Sequence, residues 1–316
     1  MKKQIITWAA LSVCALIVTG YAVHNYYRET TIPPLKFSLP GEPGPVKNFP
    51  YEARNVGEFT GEVDLYRLVP KRIDKAKFHD IAKKFFINAT GEKYVYDSKH
   101  GYSYKEGNRY ISVEDGGRLI YSIENDIELS RKDLISLPSD KEAAAIATDF
   151  LQQRGLLPQN FYLSSVVEGL VTVYSDLSRD VINKQVIYHR KINGKEVLGV
   201  SRIQVDVGED GMIERVAILY HDIEPYAKKS FKPVTMALED LKNEKGLEHF
   251  GKGLQPKKCQ IDKIELSYFE QPEIANQPYL YPVYKATGKI FDEKGDEAEY
   301  VGIVEATQPT NPLRLW

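Results

Sequence analysis

The stretch Gln185–His221 sets the strongest limit on what this chain can fold into. Three runs rich in β-branched and aromatic residues are separated by Asn193-Gly194 and by Gly208-Glu209-Asp210-Gly211. Asn-Gly is the dipeptide best suited to the two positive φ values of a tight hairpin turn, so the first connection predicts a hairpin. In the middle run Val200, Arg202, Gln204 and Asp206 alternate with Ser201, Ile203, Val205 and Val207. One face is apolar and the other wet, the pattern of an antiparallel sheet covered on one side. The wet face, around Tyr188, Arg190, Arg202 and Gln204, is the expected protein-contact surface.

The meander is preceded by a helix with strong end signals. Ser139, followed three residues later by Glu142, predicts a capping box, and Gly155 suits a left-handed C-terminal cap. The same order, helix then strands, is expected twice more. Upstream, Asp74 caps a helix carrying Phe78, Ile81, Ala82 and Phe85, and strands are predicted at Lys93–Asp97, Gly101–Lys105, Arg109–Val113 and Arg118–Ile123. Downstream, Thr235 caps a helix running to about Lys245, and strands are predicted at Ile261–Phe269, Tyr279–Thr287, Lys289–Asp292 and Glu299–Ala306. The expectation is α+β: three modules, 51–137, 138–227 and 228–316, each a helix packed on an antiparallel sheet.

The N-terminal stretch suggests export. Residues 1–4 are basic and would form a cytoplasmic N-terminus, and residues 5–23 carry no charge, close to the roughly 20 residues needed to span a bilayer. Lys2 and Lys3 place the following chain outside, so the expectation is a single-pass cell-membrane protein anchored by residues 5–23 with an extracytoplasmic C-terminal domain. Signal-peptide cleavage after Ala22 is the competing reading, and lipidation at Cys14 a third. Residues 24–50 hold Pro33, Pro34, Pro40, Pro43, Pro45 and Pro50, which favours an extended stalk. The last residues, Pro312 to Trp316, form an apolar tail expected to dock on the final sheet.

Composition excludes some functions. The formal net charge of −2 argues against a nucleic-acid partner, which calls for a basic excess. The sequence has no His-Glu-x-x-His, Gly-x-Ser-x-Gly, Walker loop, Gly-x-Gly-x-x-Gly or Cys-x-x-Cys motif, so no enzyme, cofactor or metal site is expected. His189, His221 and Asp222 could in principle converge on a metal, and Glu209-Asp210 and Asp292–Asp296 on Ca²⁺. Cross-strand packing and turn solvation explain both sets more simply. Cys14 and Cys259 are too differently placed for a mutual disulfide, and Cys259 is expected as a packed thiol.

The residues from Ser139 to Leu219 resemble a PepSY-type module. They offer a capped helix ending in Phe150-Leu151, then Val186-Ile187-Tyr188-x-Arg190-x-Ile192-Asn193-Gly194-x-x-Val197, then Ile203-x-Val205-x-Val207-x-x-x-Gly211-x-Ile213. The basic start, apolar run and tandem modules, with Leu280-Tyr281-Pro282-Val283-Tyr284 and Val301–Ala306 near the end, resemble the Yyc-type membrane-anchored accessory regulators of sensor histidine kinases. The resemblance implies binding or inhibition rather than catalysis, part of two-component regulation at the bacterial cell envelope. It implies a sensor histidine kinase or an exported peptidase as partner. A self-assembling cell-envelope structural protein is the alternative.

Overall fold

A computed structural model describes Ile32, Pro34, Leu35, Phe37 and residues 50–308, other than 55, 71, 87–92, 98–100, 115, 125–135, 170, 174–178, 244, 251–254 and 272–276. In chain order the elements are β1 (Tyr51–Ala53), β2 (Glu62–Val69), α1 (Lys75–Ala82), β3 (Val95–Asp97), β4 (Gly101–Glu106), β5 (Arg109–Val113), β6 (Leu119–Ile123) and α2 (Asp140–Gln153). There follow β7 (Phe161–Glu168), β8 (Val171–Val173), β9 (Arg179–Val181), β10 (Lys184–Ile192), β11 (Lys195–Val207), β12 (Ile213–Leu219) and β13 (Asp222–Ser230). The last are α3 (Val234–Lys242), β14 (Leu247–Phe250), β15 (Lys258–Glu270), β16 (Tyr279–Phe291) and β17 (Glu297–Glu305).

Local signals formed as physics requires. Asn193 and Gly194 both take positive φ, 48° and 76°, and join β10 to β11. The Ser139 hydroxyl accepts from the Glu142 amide while the Glu142 carboxylate accepts from the Ser139 amide, the reciprocal capping box. At the other end of α2, Gly155 sits at φ 58°, with Leu156 N bonded to Leu151 O and Gly155 N to Gln152 O, a Schellman cap. Asp74 accepts from Lys77 N at 2.8 Å and starts α1. Thr235 does not cap α3. Val234 N donates instead to Glu58 Oε2 at 3.0 Å, a carboxylate 176 residues away in sequence.

The expected fold class is overturned. Fifteen strands of the described residues join one mixed sheet that runs across residues 137 and 227. β6 pairs with β12 (Ile120 opposite Ala217), so the first two expected modules share a continuous sheet. Their helices share one core as well: Phe78, Phe86, Tyr104, Ile111 and Tyr121 pack with Ala143, Ala147, Leu151, Val186, Ile203 and Val216. At about 1.5–3 kcal/mol per fully buried large aliphatic or aromatic side chain, splitting this core would expose far more apolar surface than a domain of ordinary stability can lose. β13 returns to pair with β2 (Ala227 opposite Leu65), and β16 reaches β2 at Tyr279 and Leu280. β15 runs parallel to β1 at Cys259–Ile261 and to β11 at Tyr268–Glu270, and antiparallel to β16 along its length. Alternation tells which face of a strand is buried; it carries no information on which strand lies alongside.

The single-pass membrane placement is corrected too. Among the described residues no helix is long and apolar enough to cross a membrane. The helices have 8, 14 and 9 residues against the roughly 20 a span requires. The run 5–23 and the tail 312–316 lie outside the described residues. Within the proline-rich stretch, Ile32 and Leu35 are buried beside Leu65, Phe269, Tyr281 and Val283. The Leu35 amide donates to Glu305 Oε2 at 3.0 Å, and the Phe37 ring lies 5.3 Å from that of Phe269. These residues pack on the body rather than hold it at a distance, because the prolines leave three large apolar side chains among them to be buried.

Candidate binding site at a strand seam

The four residues expected to share a wet face do not. In the β10–β11 pair Tyr188 lies opposite Ile203 and His189 opposite Arg202, so Tyr188 belongs to the apolar face and Arg202 to the other. Tyr188 is 1% exposed, and its hydroxyl lies 2.8 Å from Thr148 Oγ1 on α2. Burial pushes its phenol above the ordinary value. Arg190 is 5% exposed; its guanidinium donates to the His221 carbonyl at 2.9 Å and stands over the Tyr220 ring. Burial holds its pKa below the usual arginine value, with Glu270 the largest opposing influence. Gln204 and Arg202 remain on the outer face, where Gln204 donates to Gln185 and Gln185 to Asp206. Assigning all four to one face counted alternate residues on each strand without the register between them.

The register breaks where β11 changes partners. His189 pairs with Arg202 and the next residue, Arg190, with Val197, so residues 198–201 bulge out of the ladder. β15 enters there, running parallel to Val197–Gly199. Such a bulge re-aims the side chains around it. Gly199 takes φ +88°, and a Cβ on it would stand 2.1 Å from the Glu270 carbonyl oxygen, so the seam closes only around glycine.

A cavity of about 200 Å³ opens at this seam. Its lining includes Arg118, Val200, Arg202, Leu219, Tyr220, His221 and Glu270. Arg202 lies opposite Leu219 in the β11–β12 pair, and Arg118 immediately precedes β6, whose Leu119 lies opposite Ile218 of β12; Arg118, Leu219 and Arg202 are thus brought to one side of the seam. Arg202 donates to the Gly199 carbonyl at 3.3 Å, yet its Nε is buried without a partner, as is the Nε of Arg118. Burial lowers the pKa of Arg202, and the Arg215 guanidinium adds to that effect. Behind the cavity, Glu270 is fully buried. Its Oε1 accepts from the His221 amide at 3.0 Å and contacts His221 Nδ1 at 2.8 Å, which fixes the imidazole. Glu270 Oε2 and Ser201 Oγ are buried without a hydrogen-bond partner. The Glu270 carboxylate therefore orients His221.

His189 and His221 do not converge. His189 Nδ1 contacts Glu196 at 3.1 Å, and among the described residues no group of three potential ligands could hold a metal. The acidic turn at Asp292–Asp296 is satisfied locally, Asp292 accepting from the amides of Lys294 and Asp296. A second polar cluster was not visible in the sequence. Glu196 accepts from His189, Lys285 Nζ and the Tyr162 hydroxyl, each at 3.1 Å. The His189 contact, then Lys285 and Tyr162, holds its carboxyl at about 2 against the pull of burial. Those partners lie 7, 89 and 34 residues away, so no local spacing reveals them.

No family model matches the sequence, and no curated protein matches it. Among solved structures, the chain is similar to one described as an uncharacterized protein from Eubacterium rectale ATCC 33656, crystallised at 1.45 Å resolution. The two share 13% identity over 81% of this chain and 87% of that one, with a TM-score of 0.45.

Proposed function

We propose that this protein is a non-catalytic regulator that binds a partner protein at the seam between β11 and β15. The observation that carries the reading is the open cavity lined by two arginines, Arg118 and Arg202. A guanidinium beside an open cavity favours an incoming acceptor, because charge-assisted hydrogen bonds are stronger than neutral ones. The resemblance of Ser139–Leu219 to modules that bind or inhibit supports the same direction, and a sensor histidine kinase or a peptidase is the partner class it suggests. Self-assembly is the second reading. It is favoured by Leu163 and Val167 on β7, 46% and 41% exposed, on a strand paired among the described residues with β10 alone.

The test is affinity capture of the full chain from its own cells, beside the double variant Arg118→Gln, Arg202→Gln. A protein held by the wild type and lost from a folded double variant supports the proposal. Equal capture by both contradicts it, and capture of the chain's own copies alone moves the weight to self-assembly.

A further inference from the structure

We infer that the seam cavity is a carboxylate site, made for an organic acid whose charged end is joined to an apolar group. The inference rests on the reading of the seam as the binding region and adds the chemistry of what enters it. Three observations converge on it. First, Arg118 and Arg202 both line the cavity, and a guanidinium matches a carboxylate in two parallel hydrogen bonds. Second, the carboxylate at the site is held back from the ligand space: Glu270 Oε1 is tied to the His221 amide and imidazole, and its Oε2 is closed off from solvent, with Arg190 close behind. Glu114 lies 3.8 Å from Arg118, too loose a pair across a half-exposed side chain to neutralise it. Third, Val200, Leu219 and Tyr220 complete the wall, which suits an apolar substituent and not a bare inorganic anion. At about 200 Å³ the cavity is below the roughly 300–1,000 Å³ of drug-sized sites, so it takes a group the size of a single residue.

Two sources present this chemistry, a free small acid and the C-terminal residue of a polypeptide. The probes are phenylacetate, phenylacetamide, inorganic phosphate and the peptide N-acetyl-Ala-Phe with a free carboxylate. Binding to the full chain is followed by calorimetry and by chemical shifts of the arginine Nε–H groups. Saturable binding of phenylacetate, at least tenfold weaker for the amide, is expected. Arg202→Gln should weaken it at least tenfold. Because Arg202 is partly buried and its variant could unfold, the half-exposed Arg118→Gln is measured alongside and should weaken binding in the same direction. Tighter binding of the peptide assigns the polypeptide source, and equal or tighter binding of phenylacetate the free acid. Equal binding of acid and amide, phosphate binding without phenylacetate, or no saturation by either carboxylate overturns the inference. If carboxylate binding fails while partner capture still depends on the two arginines, the inference falls and the partner-binding reading stands. If carboxylates bind and partner capture ignores the arginines, the reverse holds.

Discussion

Replacing Glu196 by Gln probes how the far strands are held to the meander. Glu196 on β11 accepts from Tyr162 on β7, His189 on β10 and Lys285 on β16, so its charge ties strands of two expected modules together. Its carboxyl lies at about 2 in the folded protein, down from 4.5, and the side chain is 24% exposed. A carboxyl depressed on folding stabilises the protein above its unfolded pKa, and loses that contribution as pH falls through its folded one. With about 1.4 kcal/mol for each tenfold change, the ionised form contributes about 3 kcal/mol at pH 7 and about half of that by pH 3. Glutamine keeps the shape and a hydrogen-bonding oxygen but not the charge. Urea unfolding of wild type and variant, repeated from pH 7 to pH 3, should therefore show a loss of about 2–3 kcal/mol at neutral pH that narrows steadily on acidification. A loss under about 0.5 kcal/mol at pH 7, or a loss that does not shrink with acid, would refute the reasoning.

Other expectations follow from single contacts. Gly199→Ala places a Cβ at 2.1 Å from the Glu270 carbonyl at a φ of +88°; it should cost more than about 2 kcal/mol and lower the midpoint of thermal unfolding. Glu58→Ala removes the acceptor for Val234 N and should cost about 1 kcal/mol by denaturant titration, while Thr235→Ala, predicted from sequence to matter, should be nearly silent. Cys259 is fully buried, and burial pushes its thiol up to about 12, with Glu248 adding to the effect. Peptide mapping after iodoacetamide at pH 8 should find Cys259 unmodified in the folded protein and alkylated in urea.

The parts of this fold legible in the sequence are those decided within a few residues. The Asn193-Gly194 turn, the Ser139/Glu142 box, the Asp74 cap and the apolar face of Ile203, Val205 and Val207 all depend on neighbours in the chain. What escaped was decided by partners distant in sequence. β2 and β13, 62–69 and 222–230, are paired with each other across the whole of the first two expected modules, and neither carries a sequence pattern that predicts a strand. Their alternation is diluted by Arg67 and Glu224, which face each other at 3.7 Å, and by Pro225 beside the bulge. The site was half visible. Arg202 and Arg190 stood out by type and position, but only the register separates a buried arginine from one lining a cavity. Arg118, Glu270 and Gly199 join the site because β6, β15 and the bulge meet there, which no spacing in the chain announces.

The most direct measurement places a photoreactive side chain at position 202 of the full chain in cells, with the exposed position 236, outside the cavity lining, as the comparison. A binding seam predicts one distinct protein crosslinked from 202 and absent from 236. Identical products from both positions, or none from 202, would contradict it.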